Sequence, residues 1–140
     1  MSARQNKDLA LTWFRILDSH DLAQAESLFA PDYVLTMGGE EHRGPHSIIE
    51  VVSGYYQAFP DLRFTTGEIV AEEDYVLVRW RARGTHQGPL PGLPPTGRTA
   101  AWTGMSLFRF RDGRIVDDTV EMDAAGMMQQ LVPARESAAV

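Results

Sequence analysis

Cysteine is absent from this 140-residue sequence, and so is any long hydrophobic run. Without cysteine the chain has no disulfide, no thiolate metal ligand and no cysteine nucleophile, which is compatible with a reducing compartment. No apolar stretch approaches the ~20 residues that a membrane-spanning helix needs. The chain also has no excess of positive charge, since its formal net charge is −6. Domains that bind nucleic acid are usually basic, so the sequence argues against a general nucleic-acid or membrane partner.

The composition that is present, 44% hydrophobic and 23% charged residues, is typical of a globular domain and too apolar for a disordered chain. A chain of this length buries enough surface for one core and a pocket. We therefore expect a single domain over residues 1–140, with an ordered core over about 6–132. The first residues are polar and contain no apolar export region, which predicts a cytoplasmic protein.

Common catalytic and metal-binding motifs are missing. There is no His-Glu-x-x-His, Gly-x-Ser-x-Gly or Gly-x-Gly-x-x-Gly sequence, and the four histidines lack metal-ligand spacing. The segment Gly92–Thr99 resembles a phosphate-binding loop, but Pro94 and Pro95 lack the backbone N–H groups that would hold phosphate. We predict no bound metal, and a stiff loop over residues 88–97 at the mouth of a pocket.

Helical patterns dominate the first half of the chain. After the first helix, described at the end of this paragraph, we expect a short second helix that begins after Asp21 and a short strand over residues 33–37. The spacing of Ser47 and Glu50 predicts a capping box at the start of a third helix, which Pro60 ends. The first helix is indicated by apolar residues at near-helical spacing, namely Leu9, Trp13, Phe14, Ile16 and Leu17.

Alternating patterns dominate the second half, with a tight turn at Asp112-Gly113 and a short amphipathic helix at the end. Helices followed by strands predict an α+β fold. We expect a cone-shaped, curved antiparallel sheet wrapped around the N-terminal helices, with space between them for a ligand. The predicted strands cover residues 62–71, 75–86, 99–111 and 115–123.

Period-two alternation assigns the faces of these strands. Trp80, Trp102 and Phe108 fall on the side expected to face the helices. Leu77 and Met105 fall on the opposite side among rows of arginines, and we expect that side to be buried in a homodimer.

The last strand is ambiguous, because neither of its sides is clearly apolar. Thr119, Glu121 and Asp123 share one side, and Asp118 lies on the other side with Val120 and Met122.

Several sequence elements together are typical of one protein family, namely Phe59–Phe64, Gly84–Gly88, Gly92–Gly97, Trp102–Gly104, Asp112–Ile115 and the closing Asp123, Gly126 and Gln130-Leu131. In this order they resemble the SnoaL-like polyketide cyclases of the nuclear-transport-factor-like superfamily. The resemblance covers about residues 6–132. It implies an α+β cone that forms homodimers or tetramers of dimers and uses neither a metal nor an organic cofactor. The family's characterised members include enzymes that close a ring by intramolecular aldol condensation.

The resemblance also implies a site. In the aldol cyclases an aspartate near the end of the last strand is the acid/base group, and Asp123 matches that position, although an aspartate there can also cap the final helix. Glu121 would be an added carboxylate on the same face, and His86 is a second candidate for proton transfer. Ser106 stands where several members carry histidine. The substrate-binding candidates are Tyr33, Tyr56, Phe59, Trp80, Trp102, Ser106 and Phe108.

The chemistry expected of such a site needs one carboxylate in an apolar cavity, where burial raises a carboxyl pKa towards working pH. We therefore expect a small, cofactor-free cyclase of secondary metabolism, of lyase or isomerase type, acting on a polyketide-like small molecule. An epoxide-opening or pericyclic enzyme, or a non-catalytic ligand-binding module, are the alternatives. Two carboxylates facing the cavity would favour epoxide opening, one would favour aldol chemistry, and none would favour binding alone.

Overall fold

The computed structural model describes residues 2–132, and its α+β architecture confirms the predicted fold class. Within that range, no helix combines the length and the apolar character needed to cross a membrane. In chain order the elements are α1 (Ala3–Ser19), a 3₁₀ helix (Leu22–Leu28), β1 (Phe29–Met37), β2 (Glu40–Arg43), α2 (His46–Ala58), β3 (Arg63–Glu72), β4 (Tyr75–Thr85), β5 (Thr99–Arg111), β6 (Arg114–Met122) and α3 (Ala124–Leu131).

One curved sheet of six strands, in the order β2-β1-β6-β5-β4-β3, forms the body of the described residues. All neighbouring strands are antiparallel except β1 and β6, which are parallel, so the sheet is mixed rather than wholly antiparallel. A parallel pair needs a long connection, and α2 with the four strands β2–β5 supplies it here. Strand β2 is not predicted from the sequence, because its four residues are polar and show no apolar alternation.

Helix α1 covers the concave side of the sheet. Ser2 and Gln5 form a capping box at its start, which satisfies backbone N–H groups that have no partner within the helix. The predicted apolar stripe is confirmed: Trp13, Phe14 and Leu17 are buried, and α1 packs against β3 and β4. Burying a side chain of this kind contributes about 1.5–3 kcal/mol, so this face holds the helix on the sheet.

Helix α2 begins differently from the prediction. Its N-cap residue is Pro45, and no side chain caps it. Ser47 lies inside the first turn, where its hydroxyl donates to the carbonyl oxygen of Arg43 at 2.9 Å. The expected capping box is therefore wrong, because the helix starts before Ser47 can take the N-cap conformation. The predicted end is confirmed, since the helix stops at Ala58, just before Phe59 and Pro60.

Strands β4 and β5 alternate as predicted. Trp80 and Trp102 are buried on the concave side, whereas Leu77, Met105 and Leu107 are exposed on the convex side. These two strands therefore provide the wall that faces α1 and α2.

A β-bulge interrupts the pairing of β5 with β6. Next to the turn, Phe110 pairs with Ile115 as a tight hairpin requires. One position further on, Arg109 pairs with Asp117, so Val116 is an extra residue in β6. Both Ile115 and Val116 are buried, which breaks the strict alternation of the strand. A bulge of this kind exchanges the two faces of the strand beyond it.

The bulge decides which side chains of β6 face the helices. Asp118 and Val120 are buried on the concave side, and Met122 shares that side. Thr119 and Glu121 point the other way, and Glu121 is exposed. The expectation that Glu121 shares the concave side is therefore wrong, because regular hairpin pairing does not hold beyond Val116.

Candidate active site

A cavity of about 570 Å³, part of it open to solvent, lies between the concave side of the sheet and helices α1 and α2. Its walls are mostly apolar and aromatic. Among the described residues that line it there is no arginine or lysine, and Asp118 is the one carboxylate. The aromatic lining residues are Trp13, Phe14, Tyr55, Phe64, Trp80 and Trp102.

Asp118 is only 1% exposed. Its Oδ2 accepts a hydrogen bond from the hydroxyl of Tyr33 at 2.8 Å, whereas Oδ1 is buried and has no partner among the described residues. Burial raises the pKa of this carboxyl to about 7, and the hydrogen bond from Tyr33 opposes part of that rise. Asp118 can therefore exist in both protonation states near neutral pH, as a general acid/base requires.

Tyr33 lies on β1 beside β6 and is fully buried. Its ring meets Phe29 edge-on, with 4.8 Å between the ring centroids. Burial and the negative charge of Asp118 both raise the pKa of the Tyr33 hydroxyl, so it stays protonated and donates. Tyr33 was predicted to contact substrate, but it is not among the residues that line the cavity. It hydrogen-bonds Asp118 from outside the lining instead.

Trp80 and Ser106 form a second buried polar pair in the cavity wall. The indole N–H of Trp80 donates to Oγ of Ser106 at 3.0 Å. Gly104, directly opposite Trp80 on β5, makes this geometry possible, because a Cβ at that position would lie 2.2 Å from the indole ring. A residue without a side chain is therefore part of what positions the site.

The predicted substrate-binding residues fall into two groups. Trp80, Trp102 and Ser106 line the cavity. Phe59 and Phe108 are buried outside its lining, where Phe59 packs on Trp102 with ring centroids 5.1 Å apart.

Tyr56 also lies outside the lining. Its hydroxyl donates to the carbonyl oxygen of Leu17 at 2.7 Å, and its ring stacks on His20 at 4.0 Å. It therefore joins α2 to the end of α1.

The predicted catalytic carboxylates lie away from the cavity. Glu121 is exposed beside Met105 on the convex side. Asp123 is exposed after the end of β6, and its Oδ1 accepts from the backbone N–H of Gly126 at 2.8 Å. Asp123 therefore caps α3, the alternative that its position left open. A catalytic role for either residue stays a prediction.

His86, the third catalytic candidate, is fully buried and does not line the cavity. Its ring centroid lies 5.6 Å from that of Phe59. The backbone N–H of Thr96 donates to Nδ1 at 3.2 Å, so the proton of a neutral ring is on Nε2. His86 therefore contacts the proline-rich loop, and a catalytic role for it stays a prediction.

That loop packs on the end of α2. The backbone N–H groups of Gln87 and Gly88 donate to the carbonyl oxygen of Ala58, at 2.9 and 3.1 Å. No residue of 87–98 lines the cavity, so its contacts do not support the position expected at the cavity mouth.

No group of three or more histidine, aspartate or glutamate side chains in residues 2–132 could hold a metal ion. The polar side chains that line the cavity are one carboxylate, Asp118, and two hydroxyls, Ser106 and Tyr55, in a mostly apolar enclosure.

Asp118, the one carboxylate of the cavity lining, is not among the site residues predicted from the sequence. Two successive apolar residues after the turn, Ile115 and Val116, are the signal that could have indicated a bulge. The helical lining residues Trp13 and Phe14 were recognised only as core.

Comparisons with known proteins agree with this architecture. The sequence profile described as SnoaL-like polyketide cyclase matches residues 7–131. The structure of IdmH from Streptomyces antibioticus, provisionally named a polyketide cyclase, is similar with a TM-score of 0.81 and 33% identity, over 91% of this chain and 98% of that one. AclR from Streptomyces galilaeus, provisionally named a hydroxylase, gives a TM-score of 0.86 and 29% identity, over 94% and 100%. No protein of curated function matches the sequence significantly.

Proposed function

The chain belongs to the SnoaL-like polyketide cyclase family, and from that premise we propose that it closes a ring in a polyketide-like small molecule by intramolecular aldol chemistry. In this proposal Asp118 is the acid/base group, and no metal or organic cofactor takes part. The observation that carries the proposal is a single buried carboxylate in an otherwise apolar cavity.

The number of carboxylates separates the enzyme alternatives. Epoxide opening by acid/base catalysis uses one group to protonate the epoxide and another to activate the attacking hydroxyl. Among the described lining residues only Asp118 carries a carboxyl group. Aldol closure needs one such group, because a C–H flanked by two carbonyls is already acidic. The lining therefore favours aldol chemistry.

The reaction is balanced without a co-reactant. Ionised Asp118 takes a proton from the carbon between two carbonyls, and the resulting enolate carbon forms a C–C bond with a second carbonyl carbon of the same molecule. The protonated carboxyl then returns the proton to the alkoxide oxygen. A pKa near 7 suits both steps. The aromatic walls hold the two reacting carbons close together, which reduces the entropy cost of closure.

The experiment is a ring-closure assay with a panel of neutral polyketide-derived ketones, followed by chromatography and absorbance because the mass of the compound does not change. Asp118→Asn keeps the volume of the side chain and removes the exchangeable proton, so turnover should fall by a factor on the order of 10²–10⁴. Asp123→Asn and Glu121→Gln are matched controls that should retain turnover. Loss of turnover in Asp123→Asn with full activity in Asp118→Asn would restore the assignment made from the resemblance.

We also propose that the protein is a homodimer that buries the convex side of the sheet. Val70, Tyr75, Leu77, Met105 and Leu107 leave between 37% and 61% of their surface exposed there, and exposed apolar residues grouped on one face are typical of an interface. Sedimentation at micromolar protein should give twice the mass of one chain. Met105→Glu should shift the equilibrium towards the monomer, and a monomeric wild type would contradict the proposal.

A further inference from the structure

We infer that the cavity contains a subsite for a carbonyl oxygen, in which the Ser106 hydroxyl is the hydrogen-bond donor and Trp80 orients that hydroxyl. The binding of a ketone at this subsite follows from the geometry alone. Its catalytic use, to stabilise the enolate oxygen while Asp118 removes the proton, rests on the proposed function.

The direction of the Ser106 proton follows from the chemistry of its partner. An indole N–H can only donate, so Oγ of Ser106 accepts in the 3.0 Å hydrogen bond with Trp80. The hydroxyl proton then has to find a different acceptor. Among residues 2–132, Trp80 is the only hydrogen-bond partner of this hydroxyl. Ser106 is 4% exposed and lines the cavity, so an acceptor can approach from the cavity.

The pair is held in place before any ligand arrives. Trp80 packs against Phe14 and Phe64, with ring centroids 6.5 and 5.9 Å away. Gly104, which has no side chain, leaves the space that the Trp80 ring occupies. A donor fixed in an apolar enclosure stabilises a developing negative charge more than a mobile one does, because it needs no reorganisation.

Ser106 and Asp118 are placed to contact one ligand together. Ser106 pairs with Val120, and Phe108 pairs with Asp118, so the two polar residues are diagonal neighbours on the same face of β5 and β6. Diagonal neighbours in a sheet are about 7–8 Å apart. A ligand whose carbonyl oxygen binds Ser106 can therefore present the carbon next to that carbonyl to Asp118.

The other hydroxyl of the lining is less suited to this role. The Tyr55 hydroxyl donates to the sulfur of Met122 at 3.8 Å, so its proton already has an acceptor. Of the two hydroxyls that line the cavity, that of Ser106 is the one whose proton has no acceptor among residues 2–132.

The test compares 1-tetralone with tetralin, two compounds of nearly the same shape of which only the first carries a carbonyl. Dissociation constants are measured by calorimetry for the wild type and for variants, and the ratio of the two constants is compared between proteins so that differences in solubility cancel. Ser106→Ala should reduce the preference for the ketone about fivefold, the effect of one ordinary hydrogen bond. Ser106→Thr, which keeps a hydroxyl, and Asp118→Asn should both retain the preference.

An unchanged preference in Ser106→Ala, or a preference lost in Asp118→Asn alone, would overturn the inference. A second readout holds even if Ser106→Ala does not fold. In the wild type, 1-tetralone should move the indole N–H signal of Trp80 downfield and tetralin should not, because hydrogen bonds in a chain strengthen one another. Equal shifts with both compounds would also overturn it. If Asp118→Asn keeps turnover in the ring-closure assay, the proposed acid/base role of Asp118 is wrong, whereas the ketone preference still tests the Ser106 subsite separately.

Discussion

Asp117 and Asp118 are neighbours in the sequence but lie on opposite faces of β6. Asp117 is partly exposed on the convex face and pairs with Arg109 at 2.6 Å. Asp118 is buried on the concave face, and its only hydrogen-bond partner within residues 2–132 is the hydroxyl of Tyr33. An aspartate side chain is thus an ordinary surface ion-pair partner on the convex face and an acid with a raised pKa on the concave face. The comparison teaches that the face of the strand, rather than the residue type, decides the chemistry.

The largest expected effect that sharpens this comparison concerns the pH dependence of stability. The folded chain holds the Asp118 proton up to about pH 7, whereas the ordinary carboxyl pKa is 3.8. The unfolded chain therefore releases that proton first, and the free energy of unfolding falls as the pH rises from about 4 to about 7. A shift of this size corresponds to about 4 kcal/mol. Urea unfolding at several pH values should show this decrease in the wild type.

Matched variants of the two neighbours isolate the effect. Asp118→Asn should remove the decrease and be more stable than the wild type above pH 7. Asp117→Asn should keep the decrease, because it changes only the exposed ion pair. Identical pH profiles for the wild type and Asp118→Asn would contradict the assigned protonation of Asp118.

The next largest effect tests how closely the concave face is packed. Gly104→Ala would bring a Cβ to 2.2 Å from the Trp80 ring, so the ring has to move. We expect a loss of about 1–3 kcal/mol in the free energy of unfolding, as for other overpacked cores. Gly54→Ala is the control, since apart from the local backbone of α2 no atom of residues 2–132 lies within 4 Å of its added Cβ, and alanine favours a helix. Equal stability of the two variants by urea unfolding would show that the Trp80 ring moves at no cost.

The smallest expected effect concerns the Tyr33 hydroxyl and the pKa of the Asp118 carboxyl to which it donates. Tyr33→Phe removes the hydrogen bond that favours the ionised carboxyl, so the pKa of Asp118 should rise by about 1–2 units. A carbon NMR titration of labelled aspartate carboxyl groups measures this directly. Tyr56→Phe is the control, because its hydroxyl contacts Leu17 and leaves Asp118 untouched. A lower Asp118 pKa in Tyr33→Phe would contradict the role given to Tyr33.

Local regularity explains which parts of the fold could be predicted. The stripe of α1 and the alternation of β4 and β5 were read correctly, because each element buries one continuous face. The Asp112-Gly113 turn was also recognised, and both of its residues adopt the positive φ that such a turn requires. The parallel pairing of β1 with β6 was not, since it joins segments about 80 residues apart and leaves no local pattern.

The site was predicted less well than the fold for a related reason. Trp80 and Trp102 were placed correctly, because strict alternation holds along their strands. Asp118 was assigned to the face away from Glu121 and Asp123, but which face met the cavity depended on the single extra residue Val116. Beyond a bulge, alternation still separates the two faces of a strand, but it does not indicate which face meets the core unless the bulge itself is recognised.

The aromatic lining also has an optical consequence. The sequence contains three tryptophans, Trp13, Trp80 and Trp102, and all three line the same cavity. Nearly all of the long-wavelength ultraviolet emission of the protein therefore originates at the walls of one enclosure. A compound that enters the enclosure will change the intensity or colour of that emission without any label. Libraries of candidate substrates can be screened by fluorescence on the unmodified protein, before any turnover assay exists.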